Sequence, residues 1–406
     1  MGNINEKFRF MASATTDNQL STAHIPDDLA ISILSKLPLK SIKRFTCVQK
    51  SWSDFFENAH FMNMFRTNFI SKYDEKEENK CLLLRERIGT STTDFCDVMC
   101  KLSGDRFQDR VRLDWPPPFQ QDESNIDILY CASVNGILCL YQRHGNYFET
   151  TAPTATTALW NPATGEYKIL PPSLQSYENI EFNVSLVGVG YDHIRDDYKV
   201  LRVARHPIDL DNYIFKEEPQ VENCDDIFWE VYSLRSNSWR KVDRVNMPIL
   251  LPSKCQVNSN EFCHWLVWFQ MDIWSFDFSN EKFFITPLPV GSDIGCVRNE
   301  YDLMVWNESI AFICNYCIES GYFHIWVLGE LCVVESWTKF FVVGPLSCVL
   351  YPIGVGKKNQ IYFVKEDGKV ALFDLSTQRI EDKGDLICEK IAFYNENPLS
   401  IEGMSN

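Results

Sequence analysis

The chain has 406 residues, 45% of them hydrophobic, which is enough for a short module and one large domain with a substantial core. The net charge of −16 at pH 7 argues against nucleic acid as the main partner, because nucleic-acid surfaces need an excess of basic residues. Aromatic residues make up 14% of the chain, which favours a strand-rich fold.

Cysteine usage and the amino terminus bear on the cellular compartment. The 15 cysteines are odd in number and scattered, and residues 1–7 lack the apolar run of a secretory signal. We therefore expect reduced thiols and a protein of the cytoplasm or nucleus. No apolar run reaches transmembrane length, so no membrane is expected as a partner. Cys314 and Cys317 have the spacing of half a zinc site, but no second pair accompanies them, so we expect neither a metal nor a cofactor.

The amino-terminal part divides into a leader and a helical module. Residues 1–23 are polar and without period, which is typical of disorder, and residues 24–71 are predicted to form short helices. Asp27 and Asp28 can accept hydrogen bonds at the start of the first helix, and Pro38 is expected to end it. Its apolar face consists of Leu29, Ile33, Leu34 and Leu37. Helices this short are not stable alone, so this face must pack on the rest of the chain or on a partner.

Residues 25–58 resemble the F-box of plant F-box proteins. The order I-P-x-D-L-x-x-x-I-L-x-x-L-P-x-K-S-I-x-R-F-x-C-V-x-K-S-W runs from Ile25 to Trp52, with Ile25 and Gln49 departing from the usual Leu and Ser. The resemblance implies docking on the Skp1-type adaptor of a cullin-RING ubiquitin ligase. The residues implied to face the adaptor are Pro26, Leu29, Ile33, Leu34, Leu37, Pro38, Ile42, Arg44, Val48 and Trp52. The alternative is an ordinary helical cap on the following domain.

After a charged linker at 72–80, the pattern changes to short apolar runs separated by turn residues. A strand, a polar turn and a second strand recur, and the second strand opens with Trp239, Phe283, Trp337 or Ile380. These openings lie about 40 to 55 residues apart, the period of a four-stranded propeller blade. We count five blades between 128 and 384. The leftover strands at 82–102 and 385–395 are predicted to pair as a sixth.

The predicted fold class is therefore an α+β multidomain protein, in which a small all-α module precedes an all-β propeller-like domain at 81–396 and a tail at 397–406. Six blades are expected and seven are the alternative; a β-sandwich would not explain the recurrence. Several segments resemble the F-box-associated domain of plants and related kelch and S-locus F-box proteins. They are 160–165, 190–192, 197–200, 232–239, 264–266 and 335–339. They indicate the architecture, and they do not indicate the substrate.

A long acidic segment at 206–226 departs most from the repeat. It is either a solvated loop or part of a substrate-binding face, with Asp209, Asp211, Tyr213, Phe215, Glu217 and Glu218 as candidate contacts for a basic protein. Residues 116–119 are a second candidate insertion. Residues 161–165 (Asn-Pro-Ala-Thr-Gly) have the composition of a tight turn, and His264 and His324 are interpreted as core residues.

The resemblance implies the substrate-recognition subunit of a Skp1–cullin–F-box (SCF) ubiquitin ligase, which holds a target protein and performs no bond chemistry itself. Its partners would be the adaptor, the cullin-RING ligase and a protein substrate. Two alternatives are a lectin-like or small-ligand propeller, which exposed Trp side chains on one rim would support, and a propeller enzyme, which would need clustered titratable groups in a pocket. No catalytic motif is present.

Overall fold

A computed structural model describes residues 27–36, 61, 64, 80–89, 95–104, 109–120, 126–128, 133–143, 155–172, 183–205, 227–242, 256–259, 261–267, 270–289, 301–306, 309–315, 321–346, 348–356, 360–384, 386–388, 391–397 and 400. The chain forms two compact units, Met1–Ser71 and Lys72–Asn406. None of the described helices is long and apolar enough to cross a membrane.

The described part of the first unit contains one helix given over its length, α1 (Asp27–Leu34), and the two helical residues Phe61 and Met64. Helix α1 ends four residues before Pro38, because the chain tightens into a turn. The Ser35 N–H bonds the Ile31 carbonyl at 2.9 Å, and the Lys36 N–H bonds the Ile33 carbonyl at 3.2 Å. The rest of the predicted helical module, apart from Phe61 and Met64, lies outside the described residues.

The second unit is a six-bladed β-propeller of six four-stranded antiparallel sheets. Blade 1 contains β1 (Lys80–Gly89), β2 (Phe95–Ser103), β3 (Asp109–Leu113) and β24 (Ile391–Asn395). Blade 2 contains β4 (Ile126–Ile128), β5 (Leu138–Arg143), β6 (Ala155–Trp160) and β7 (Tyr167–Ile169). Blade 3 contains β8 (Asn183–Asp192), β9 (Asp197–Arg205), β10 (Ile227–Ser233) and β11 (Ser238–Lys241).

Blade 4 contains β12 (Gln256–Ser259), β13 (Phe262–Val267), β14 (Asp272–Asp277) and β15 (Lys282–Pro287). Blade 5 contains β16 (Tyr301–Trp306), β17 (Ser309–Asn315), β18 (Phe323–Leu328) and β19 (Trp337–Val343). Blade 6 contains β20 (Val349–Val355), β21 (Gln360–Lys365), β22 (Val370–Asp374) and β23 (Arg379–Asp382). The first strands of neighbouring blades contact each other, β8 with β12, β12 with β16, and β16 with β20, and β20 contacts β24. They form the inner wall of the ring.

The ring closes through blade 1, which combines the first three strands of the propeller with its last strand. In blade 1 the sheet order is β24-β1-β2-β3, and Cys81 pairs with Tyr394 while Leu83 pairs with Ala392. The predicted pairing of the leftover strands into a sixth blade is confirmed. This closure removes the exposed inner edge that an open meander would leave.

The core is divided into six apolar clusters, each shared by two neighbouring blades. Blade 1 shows the cause: Leu82 and Leu84 pack against blade 6, whereas Cys81 and Leu83 pack against blade 2. Successive side chains of a strand point to opposite faces, and both faces of a blade are covered. The strands therefore read as continuous apolar runs instead of alternating patterns.

The recurring aromatic residues join neighbouring blades. The indole N–H of Trp239 donates to the Pro171 carbonyl, just after the last strand of blade 2, at 2.7 Å. Trp337 donates in the same way to the carbonyl of Pro287 in blade 4, at 2.9 Å. Phe283 packs into the cluster between blades 3 and 4, but Ile380 is exposed on its outer strand. At three of the four positions that recur in the sequence, the side chain therefore packs between two neighbouring blades.

Two proline-containing loops differ in how deeply they are buried. Residues 161–165 form the predicted tight turn: the Gly165 N–H bonds the Asn161 carbonyl at 2.9 Å, and the Asn161 side chain accepts from the Ala163 N–H at 3.0 Å. The prediction that residues 116–119 are a surface insertion is wrong for Phe119. That ring and Trp115 are buried between blades 1 and 2, because a short 3-10 turn at Pro117–Phe119 folds them into the core.

Candidate interaction surfaces

Helix α1 exposes two large apolar side chains. Leu29 and Ile33, four residues apart on one face, are 52% and 53% exposed. A stable helix this short needs its apolar face covered. Leu34, on the same predicted face, is half-buried. The remaining candidate adaptor contacts, Pro26, Leu37, Pro38, Ile42, Arg44, Val48 and Trp52, lie outside the described residues.

The candidate substrate contacts Asp209, Asp211, Tyr213, Phe215, Glu217 and Glu218 also lie outside the described residues, but the ends of their segment are described. Strand β9 ends at Arg205 and β10 begins at Ile227, and these two residues pair directly across the sheet. The segment is therefore inserted between the second and third strands of blade 3, as predicted. The β8–β9 and β10–β11 turns, at the opposite end of this blade, are tight.

A cluster of charged residues joins those tight turns to blade 4. The ammonium of Lys199 lies 2.6 Å from Asp192 Oδ2, 2.7 Å from Glu281 Oε1 and 2.9 Å from the Phe278 carbonyl oxygen. Arg195 donates to Asp192 at 2.9 Å and to the Ser279 carbonyl at 2.8 Å, and Arg240 pairs with Glu281. Lys199 and Asp192 are buried, so each charge depends on the other for compensation.

The Asp192 carboxylate stays ionised in this cluster. Burial alone would raise its pKa, but hydrogen bonds from Lys199 and Arg195 outweigh burial and hold the pKa below its ordinary value. All three hydrogen bonds made by Lys199 end on charged or carbonyl oxygens, which leaves its ammonium fully coordinated. The cluster is therefore a blade-to-blade connection rather than a reactive site.

A second buried ion pair lies within blade 3, on the side that faces blade 2. Arg202 donates through Nε to Glu230 Oε2 at 2.7 Å, and its guanidinium carbon lies 3.5 Å from the centre of the Trp239 ring. Burial lowers the pKa of Arg202, and the Glu230 carboxylate partly offsets this effect. Stacking on Trp239 and pairing with Glu230 together hold the Arg202 side chain in place, so its role is structural.

The two histidines interpreted as core residues have different surroundings, and only His264 is fully buried. His264 is buried and its Nδ1 lies 2.7 Å from the Ser275 hydroxyl, which confirms its interpretation as a core residue. Burial lowers the pKa of His264 to about 3, so the ring is neutral at physiological pH. His324 is half-buried on blade 5, and burial followed by the nearby Lys339 charge lowers its pKa. Cys314, the first cysteine of the C-x-x-C pair, is buried between blades 4 and 5.

Several residues of this connecting network were recognised in the sequence only as parts of motifs. Asp192 and Lys199 belong to the segments 190–192 and 197–200, and nothing in their spacing predicted that they form an ion pair reaching Glu281. Asp197, in the second segment, accepts the Arg235 N–H at 2.8 Å and holds the β10–β11 turn. The sequence feature that could have indicated these residues was a charged side chain within a strand pattern that is otherwise apolar.

Comparison with known proteins shows the family. The model of the F-box associated beta propeller domain matches residues 86–396. The chain belongs to this family of plant F-box proteins. Relatives in Arabidopsis thaliana include F-box protein CPR1, 29% identical over 55% of this chain and 59% of the relative, so the match spans less than two thirds of that protein.

Two further relatives of the same plant match over most of their length. The F-box/LRR-repeat/kelch-repeat protein At2g27520 is 24% identical over 86% of this chain and 84% of its own. F-box protein At2g40925 is 25% identical over 79% of this chain and 73% of its own. Both matches extend over more than three quarters of this chain.

Proposed function

We propose that this F-box protein is the substrate-recognition subunit of an SCF ubiquitin ligase. The observation that carries the proposal is the combination of an F-box-like sequence at 25–58, whose described helix exposes Leu29 and Ile33, with an F-box-associated propeller. The exposed apolar pair is a surface that a Skp1-type adaptor would cover. The F-box names of the relatives support the same role.

The mechanism is proximity rather than chemistry. The propeller would hold a target protein while the F-box connects it to the cullin-RING ligase and its ubiquitin-charged enzyme. Tethering of this kind raises the effective concentration of the reacting groups to the order of millimolar. The subunit itself is proposed to be non-catalytic and to act in the cytoplasm or nucleus.

The proposed substrate is a basic protein that contacts the acidic segment at 206–226. Because Arg205 and Ile227 pair directly, both ends of that segment leave blade 3 at one point. Its carboxylates would attract a basic partner from a distance, and added salt would weaken this attraction. The lectin-like alternative is weaker, since none of the nine Trp residues in the described part of the chain is exposed.

The adaptor interaction is tested by co-purification with a plant Skp1-type adaptor. We expect Leu29→Asp with Ile33→Asp to abolish complex formation, because charges would replace apolar contacts at the centre of the interface. Ile169→Asp, at an exposed apolar residue of blade 2, is the matched control. Undiminished adaptor recovery with the double variant would contradict the proposed docking.

A further inference from the structure

The outer hairpin of blade 5 has an unusual surface. Tyr322, which directly precedes β18, alternates with His324 and Trp326, and these three residues share one face. Phe323 and Ile325 point the other way, into the core with blade 6. The register places Val342 opposite His324 and Lys339 opposite Trp326. We name these five residues, Tyr322, His324, Trp326, Lys339 and Val342, the aromatic strip.

The outer members of the aromatic strip border solvent, whereas His324 and Trp326 are half-buried and Trp326 packs against the core cluster between blades 4 and 5. Val342 is 45% exposed and Tyr322 is 39% exposed, and Lys339 is exposed as well. Phe340, on the same strand, is 49% exposed and lies outside the ladder register, because a β-bulge separates the Ile325 and Trp326 pairs. Of these three large exposed side chains, Phe340 and Val342 belong to β19 itself. Their exposure to water adds to the free-energy cost of leaving the strand uncovered.

Strand β19 differs from the other outer strands in its length and in the uninterrupted apolar sequence of its second half. At seven residues it is the longest of the six, and its second half is entirely apolar. The other five carry charges at exposed positions or are short, and β15 ends in Pro287. Charged residues and proline are the usual means of preventing an outer strand from pairing with another chain. β19 pairs only with β18 in the described sheet, so its outward backbone groups face no strand there.

The only charge on β19 is Lys339, and its position favours an acidic partner group. Its ammonium lies 5.7 Å from the centre of the Trp326 ring, and no carboxylate of the described residues forms an ion pair with it. It is a positive charge on a chain with a net charge of −16. A carboxylate placed beside Lys339 would gain a hydrogen-bonded partner at an aromatic surface.

We propose that the aromatic strip and the outer edge of β19 bind an extended segment of another protein, which pairs with β19 as a fifth strand of blade 5. The segment carries apolar side chains against Val342 and Tyr322 and one carboxylate against Lys339. Backbone pairing supplies the affinity, and the alternate side chains supply the specificity. The bulge at Phe340 limits pairing to a short segment and disfavours flat sheet-to-sheet aggregation. Adaptor contacts play no part in this interaction.

The test is selection of linear 12-residue peptides from a display library on the full chain, with counter-selection on the Val342→Glu variant. We expect the selected peptides to share one acidic residue within an alternating apolar pattern. Their dissociation constants, measured by fluorescence polarisation, should rise at least about tenfold with Val342→Glu and with Lys339→Glu. Changing the peptide's acidic residue to Lys should restore binding to Lys339→Glu. The matched control Ile169→Glu, on the outer strand of blade 2, should bind like wild type.

Circular-dichroism melting checks that each variant is folded. If Val342→Glu does not fold, Val342→Thr replaces it in the selection and the binding measurements. The proposal is overturned if no peptide survives counter-selection, or if the selected peptides bind all variants equally. Sedimentation of the full chain distinguishes another occupant: a dimer that Val342→Glu dissociates would assign β19 to a second copy and equally overturn the proposal. Adaptor co-purification with Lys339→Glu should be unchanged, which separates this test from that of the ligase role.

Discussion

The side-chain amide of Asn161 donates to the backbone carbonyl of Asn397 at 2.8 Å, joining residues that are 236 positions apart. Asn397 in turn donates from its own amide to the Asn135 carbonyl at 2.8 Å. Residue 136 must be glycine here, because its φ is +81° and a Cβ would lie 2.5 Å from the Asn397 Cβ. The two turns of blade 2 therefore fix the chain just after the strand that closes the ring.

Asn161→Ala should destabilise the propeller by about 1–3 kcal/mol, because it removes a buried donor and leaves the Asn397 carbonyl without it. Urea unfolding followed by tryptophan fluorescence measures the change. Thr164→Ala, in the exposed part of the same turn, should change stability by less than about 0.5 kcal/mol. Equal stability of Asn161→Ala and wild type would mean that this hydrogen bond does not contribute to closure.

Deleting residues 385–406 should be far more damaging than deleting residues 1–20. The longer deletion removes β24, which pairs with β1 along the inner edge of blade 1. An opened ring exposes a strand edge and the cluster that contains Ile391, so we expect aggregation and a lower melting temperature. Size-exclusion chromatography and thermal melting compare the two deletions. A monomeric protein of unchanged melting temperature would contradict closure through β24.

Trp239→Phe and Trp337→Phe should each cost about 1 kcal/mol from the lost indole hydrogen bond, with a further loss from reduced packing. Both indoles donate to a proline carbonyl of the preceding blade. Trp239 should be the more sensitive position, because Arg202 stacks on its ring. The half-buried Trp326 provides the control, and Trp326→Phe should cost less than either. Free energies of unfolding in urea give the comparison.

Protein stability should fall as pH decreases from about 6.5 towards 3, partly because of His264. Burial lowers the pKa of His264 to about 3 from 6.5, so the unfolded chain takes up a proton in this window while the folded chain does not. Stability is fully present above pH 6.5 and is lost as pH falls, by up to about 1.4 kcal/mol per pH unit for one proton. In His264→Gln this contribution should disappear.

Urea unfolding at several pH values between 7 and 4 measures the slope for wild type and for His264→Gln. Glutamine can still bond the Ser275 hydroxyl, so the comparison isolates the titration rather than the loss of a hydrogen bond. Identical slopes would show that His264 does not contribute to the pH dependence.

The sequence determined the ring and its blades. Apolar runs of strand length and turn residues repeat locally, so Trp239, Phe283 and Trp337 could be placed at equivalent positions without knowledge of their neighbours. The Asn161 turn was equally predictable, because Pro and Gly act on the adjacent backbone. The pairing of β1 with β24 followed from one counting argument, since a closed ring leaves no strand unpaired.

Only the tertiary structure decided which residues meet across blades. Lys199 reaches Glu281 on the next blade, and Asn161 reaches Asn397, but such long-range contacts leave no periodic signal in one chain. Residues 116–119 have the composition of a surface loop, yet the Phe119 side chain is buried between blades 1 and 2. The apolar second half of β19 looks like a core strand in the sequence. Its place at the outer edge of blade 5 leaves Phe340 and Val342 exposed, because the last strand of a blade has a neighbour on one side only.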